Sequence, residues 1–168
     1  MDVKDLKGAI LASSVYIDGK QVAVNATLTL PEITPATVEV TAAGGTIEVP
    51  VFSKLEAMEA AITLQGINGD VLDQLTPERH WLTCNLVQQS VGADSSKAEH
   101  VKATLIVIPK TVPSIEATYG EASETEITFS VLAYKLTVDG KVRIHVDPVK
   151  GYYKVNGKNY GKEITALI

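Results

Sequence analysis

A mainly β fold is predicted, with two antiparallel sheets packed on each other and a helix at the side. Three observations point there. Apolar and polar residues alternate with period two along most of the 168 residues. Glycine turns, three of them Asp-Gly or Asn-Gly, separate the alternating runs. Helical periodicity is confined to one or two short stretches.

The elements follow in chain order. "VYIDGKQV" places Asp18-Gly19 between two alternating runs, a strong hairpin signal. In "QVAVNATLTL", Val22, Val24, Ala26, Leu28 and Leu30 share one side, and Gln21, Asn25, Thr27 and Thr29 the other. Residues 36–50 form a second hairpin. There Val38, Val40 and Ala42 alternate with Thr37, Glu39 and Thr41, and Ile47, Val49 and Val51 alternate with Thr46 and Glu48. Its tip, Ala42, Ala43, Gly44 and Gly45, carries no bulk and can bend to fit another surface.

"SKLEAMEAAITLQG" is ambiguous. Ser53 with Glu56 makes a capping box, and Leu55, Met58 and Ile62 fit a helix face. Met58, Ala60, Ile62 and Leu64 equally fit a strand, and local propensity favours the helix. The clearer helix is 68–76, with a polar start, apolar Val71, Leu72 and Leu75, and Pro77 beyond. Two strands follow, "HWLTCNLVQQSV" and "AEHVKATLIVI", joined by the polar 92–97, and then a loop containing Pro113 and Gly120.

In "TEITFSVLAYKLTV" the apolar side moves from odd positions (Ile127, Phe129, Val131) to even ones (Leu132, Tyr134, Leu136, Val138). That predicts a bulge or a passage between sheets. The strand enters a hairpin at Asp139-Gly140 whose second arm is expected to bury Val142, Ile144 and Val146. Asn156-Gly157 makes a last turn. About eight strands and one helix result, in a single domain spanning 1–168.

Composition narrows the function. The formal net charge of −5 disfavours general affinity for nucleic acid or anionic membrane. No run approaches the length of a membrane span, and the first residues do not read as a signal peptide. The expected location is the cytoplasm, or outside it by a route needing no signal. A single cysteine, Cys84, allows no internal disulfide and lies in phase with Leu82 and Leu86, as a buried apolar thiol would.

No catalytic set emerges. His80, His100 and His145 lie in different elements without zinc-site spacing. His145 and Asp147 share a strand face but lack a third ligand, and Asp147-Pro148 reads as a strand stop. Ser13 and Ser130 lack nucleophile context, the glycines form no phosphate loop, and the acids are scattered. The run 150–162 interleaves lysines with Tyr152, Tyr153 and Tyr160, which reads as a solvated or partner-facing segment before a stacking platform. No catalytic residue, cofactor or metal is assigned. A structural or binding protein is expected, because unpaired strand edges invite augmentation by another chain.

Several stretches resemble the major tail tube protein of contractile-tailed phages and R-type tailocins. The chief one is "YKLTVDGKVRIHVDPVKGYYKVNG", where Tyr134, Lys135, Leu136, Asp139, Gly140, Asp147, Pro148, Asn156 and Gly157 fit the family pattern. "SKLEAMEAAIT", the early "VYIDGK" with "LTLPEIT", and "AAGG" at 42–45 fit in the same order, while 81–125 matches by pattern only. The chain departs before the glycine-rich tip, where the family often has an aromatic and an arginine and this chain has Thr41 and Ala42, and in its tyrosine-rich "KGYYKV".

The resemblance implies a tail-tube-like β-barrel or sandwich with one flanking helix, 68–76, and a long protruding hairpin, 36–50, that reaches the next ring. It implies a strand at 53–66. It further implies six-membered rings stacked into a tube around a channel, with Thr37, Glu39, Thr41, Thr46 and Glu48 as lumen-facing candidates. Tyr152, Tyr153 and Tyr160 become candidates for subunit or sheath contact. The implied partners are further copies of the chain, a sheath protein, a baseplate tube initiator, a tape measure protein and, in a phage, DNA sliding through without specific binding. The place would be a virion tail or tailocin particle assembled in the host cytoplasm. The rival reading is a β-sandwich adhesion or carbohydrate-binding module.

Overall fold

The computed structural model describes residues 6–66, 68–92 and 96–167. The first five residues of the segment read as lacking an export signal, and 93–95 of the polar connection, lie outside the described residues.

The chain begins with β1 (Leu6–Ile17), β2 (Lys20–Val24) and β3 (Thr27–Thr29). β2 and β3 are the single strand expected from "QVAVNATLTL", broken at Asn25, which sits at φ 54°. Asn25 accepts a hydrogen bond from the Ser13 N–H on its side-chain oxygen and donates its own N–H to the Ser13 carbonyl. The break also leaves Val24 exposed, against the expected alternation.

Next come β4 (Pro35–Ala42) and β5 (Gly45–Leu55), a separate two-stranded sheet. β6 (Met58–Gln65) buries Met58, Ala60, Ile62 and Leu64, so the ambiguous stretch is strand and the capping box is overridden by burial. The helix α1 (Gly69–Asp73) is shorter than the expected 68–76. The Asn68 side chain caps it by accepting from the Asp70 N–H, and Val71 plugs into the core.

β7 (His80–Val91), β8 (Ser96–Pro109), β9 (Glu124–Val138) and β10 (Lys141–Asp147) are the long strands. β11 (Tyr152–Val155), β12 (Lys158–Asn159) and a second short helix, α2 (Lys162–Thr165), which the sequence reading lacked, complete the described chain. Asp18-Gly19, Asp139-Gly140 and Asn156-Gly157 all have positive φ at both residues, as the twist of two-residue hairpins requires.

The large sheet is antiparallel and runs β12-β11-β10-β9-β8-β7-β1-β2, with β3 and β6 joined to it through β9. β9 is the pivot. Its first half pairs with β6 from Glu124 to Val131, its second half with β10 from Tyr134, and β8 lies along the other edge from Phe129 to Val138. At the change of partner, Ile106 faces Ala133 while Val107 faces Val131, so Leu132 is the extra residue of a bulge. This is where the apolar phase moves in the sequence.

β2 ends the path while β3 reaches it only through β6 and β9, yet two residues separate them, so the sheet curls back on itself. Its opposing parts thereby pack as two layers around one core, in which Val15, Ile17, Leu82, Cys84, Leu105, Val107, Ile127, Phe129 and Val146 are almost fully buried. A second bulge, at Arg143, moves Val142 beside Thr137 and leaves it partly exposed, whereas Ile144 and Val146 turn inward as expected.

Candidate assembly surfaces

The β4–β5 hairpin stands off the body with both faces in solvent. Its register pairs Val38 with Val49 and Val40 with Ile47 on one face. Thr37 with Pro50, Glu39 with Glu48, and Thr41 with Thr46 lie on the other. The apolar face is uncovered: Val38, Val40, Ile47 and Val49 are 50, 49, 55 and 41% exposed. On the polar face two glutamates stand directly opposite each other, an arrangement that weakens an isolated ribbon. Thr37 Oγ1 donates to Glu48 at 2.6 Å and partly offsets it. The turn is Ala43-Gly44, and Gly45 at φ +143° has a backbone suited to glycine. Thus all five lumen candidates lie on one face, opposite the apolar residues.

A second unsatisfied surface is β1. It pairs with β7 along its length but with β2 only at Ser14–Ile17. Among the described residues no strand pairs with the other edge of Leu6–Ala12. Leu6, Ile10 and Leu11 are exposed there, and the ladder to β7 is bulged at Gly8 and Leu11. An apolar groove lined by Ile10, Ala26, Leu28, Leu30 and Leu86 opens beside this segment.

The third surface is the uncovered face of β8 to β11. Lys135, His145 and Lys154 lie side by side across β9, β10 and β11, with Lys102 and Thr104 on the adjacent strand. Burial, and then the charges of Lys154 and Lys135, hold His145 below its ordinary value. Tyr152 belongs here, under the Lys154 ammonium at 4.3 Å and beside His145. Asp147 accepts the Lys150 N–H and closes the turn after β10, which accounts for it as a strand stop. Among the described residues no group of three metal-ligating side chains occurs.

Tyr153 and Tyr160 do not accompany Tyr152. They turn to the base of the hairpin and meet Phe52, a residue the sequence reading passed over. It also missed a buried polar pin. His80 Nδ1 donates to Asp18 Oδ2 at 2.6 Å, and Nε2 faces the Thr76 carbonyl and hydroxyl at 3.0 Å. Asp18 Oδ1 also accepts the Trp81 N–H, which ties the β1–β2 turn to β7. Burial opposes a charged His80, but its bonds to Asp18 and Thr76 prevail and raise it above its ordinary value. The His80 bond, then that from Trp81, holds Asp18 below its own. No local pattern signals this pair, because Asp18 and His80 lie 62 positions apart.

The sequence from residue 8 to 168 matches the family model for phage tail tube protein FII. The chain belongs to that family. Its role is therefore that of a structural tail tube protein, and nothing supports the adhesion reading. A similar solved structure is a chain of the sheath–tube complex of an extracellular contractile injection system, PVC, in its extended state. It is 14% identical, covers 74% of this chain and 87% of its own, and has a TM-score of 0.50. At that identity the likeness concerns the fold. Among curated proteins none matches this tube protein. No described helix of it is long and apolar enough to cross a membrane.

Proposed function

We propose that this tube protein forms six-membered rings that stack around a channel, as the inner tube of a contractile tail, and that the β4–β5 hairpin is its inter-ring arm. The observation that carries this reading is the two-faced hairpin. A two-stranded ribbon is marginal alone in water, and this one exposes one valine–valine and one valine–isoleucine pair that a stable monomer has no reason to leave bare. Docked on a neighbouring copy, the apolar face is buried and the free strand edges of the hairpin and of Leu6–Ala12 gain partners.

The opposite face, Thr37, Glu39, Thr41, Thr46 and Glu48, is then left for the channel. The carboxylates there repel phosphates, and six copies carry a formal charge of about −30. DNA or an effector slides past without sticking. The sheath partner meets the outside, where Tyr152 and the lysines beside it are the contact candidates. The tube grows from a baseplate initiator over a tape measure protein, in a particle assembled in the host cytoplasm.

Negative-stain electron microscopy beside light scattering tests the proposal. Hollow tubes with six-fold end views are expected. A protein that stays monomeric at high concentration with preformed tube ends present overturns it. Gly44→Pro at the tip is expected to fold and fail to elongate, and normal tubes from it overturn the inter-ring role.

A further inference from the structure

At the base of the hairpin, Ala36 faces Val51 while Pro35 faces Leu55, so Phe52, Ser53 and Lys54 have no opposite residue in the ladder. An expansion of this kind bends a strand and re-aims its side chains. Here it delivers Phe52 to the C-terminal strands. The Phe52 ring centroid lies 5.8 Å from that of Tyr153 and 6.2 Å from that of Tyr160, and the two tyrosines meet edge-on at 6.3 Å. Tilted and edge-to-face contacts at such distances are the favourable geometry for aromatic rings.

The tyrosines are firmly mounted. The Tyr160 N–H donates to the Tyr153 carbonyl at 2.7 Å. Asn159 Oδ1 accepts from the N–H groups of Tyr153 and Gly161 at 3.2 and 3.0 Å. Gly161 is pressed so close to Gly151 that a Cβ would stand 2.3 Å from the Gly151 carbonyl oxygen. The Lys158 ammonium lies over the Tyr160 ring at 5.2 Å. The trio therefore bridges a bend in the hairpin and a tightly bonded turn of the body.

We infer that Phe52, Tyr153 and Tyr160 form a clamp that sets the angle of the β4–β5 hairpin, so that each protomer presents its arm already aimed. This rests on the reading of the hairpin as the docking arm. A ribbon with three unpaired residues at its base can swing, and holding it in one orientation removes an ordering cost from assembly. It also gives the tyrosine-rich C-terminal segment a role in positioning rather than in partner contact, except at Tyr152.

Phe52 and Tyr160 are 44 and 45% exposed, so their replacement spares the core. Spin labels on Ala43→Cys at the tip and Lys141→Cys on the body report the hairpin angle in the monomer, measured below the concentration at which tubes form. Cys84 is buried and takes no label. A narrow distance distribution is expected for the parent and for Tyr160→Phe, which keeps the ring. Phe52→Ala, and Tyr160→Ala as a second variant, are expected to broaden it, with roughly a 5- to 30-fold fall in the ratio of clamped to free hairpin. Nucleation of tubes should slow by a similar factor while the thermal midpoint moves little. A distribution as narrow in both alanine variants as in the parent overturns the clamp, whether or not tubes form. A parent that makes no tubes even at high concentration with preformed tube ends present overturns the proposed function instead, and the distance distributions still decide the clamp.

Discussion

Replacing Val40 and Ile47 together by alanine tests the apolar face of the hairpin directly. The two stand opposite each other and are 49 and 55% exposed. Full burial of such a side chain is worth about 1.5–3 kcal/mol, so covering the exposed half returns about 1 kcal/mol for each residue. Alanine forfeits most of that, or about 1.5–2 kcal/mol per docked hairpin. The concentration needed for tube growth should then rise roughly 10- to 30-fold. Sedimentation of tubes across a dilution series reads that threshold. Urea unfolding of the monomer controls for stability, which solvent-facing substitutions move by less than about 1 kcal/mol. The matched variant Thr41→Ala with Thr46→Ala, on the other face, should leave the threshold within about two-fold if that face lines the channel. An unchanged threshold in the Val40/Ile47 variant, or an equal rise in both, would refute the assignment of faces.

Three further outcomes are expected. Gly45→Val places a β-branched residue at φ +143°, which costs about 1–3 kcal/mol locally, so amide exchange of the β4–β5 turn should quicken while the core strands keep their protection. The Asp18–His80 pin makes stability depend on pH in two directions. Asp18 is lowered, so its contribution is present above its ordinary 3.8 and fades as pH falls through the depressed value. His80 is raised, so its contribution is full below its ordinary 6.5 and is lost as pH rises through the elevated value. The urea midpoint should therefore drop as pH rises above 6.5 in the parent and drop less in Asp18→Asn; equal slopes would count against the pin. Cys84 is 1% exposed and burial pushes its thiol up to about 12, so iodoacetamide at pH 8 should modify it at the rate of unfolding and no faster.

Family membership leaves the chemistry of this chain to be explained by its surfaces. Under the proposed assembly, the exposed two-faced hairpin has a physical explanation, which is that its surface is completed by another copy.

The sequence by itself determined what depends on neighbours along the chain. Alternation of side chains on a pleated backbone is local, so the strands and the two faces of 36–50 were legible, as were three turns whose Asp-Gly or Asn-Gly pairs tolerate positive φ. The phase change after Val131 announced the bulge at Leu132 because a buried side cannot switch without an extra residue. Tertiary structure decided what depends on residues far apart. Residues 58–65 are helical by propensity, but β3 and β9 on either side of them make the strand and its buried face the better solution. Val142 is displaced by a bulge that no alternation signals. Asp18 and His80 lie 62 positions apart, and Phe52 finds its tyrosines only because the curled sheet brings the C-terminal turn to the hairpin base. Local pattern sets which way a side chain points; the closure of the sheet sets what it meets.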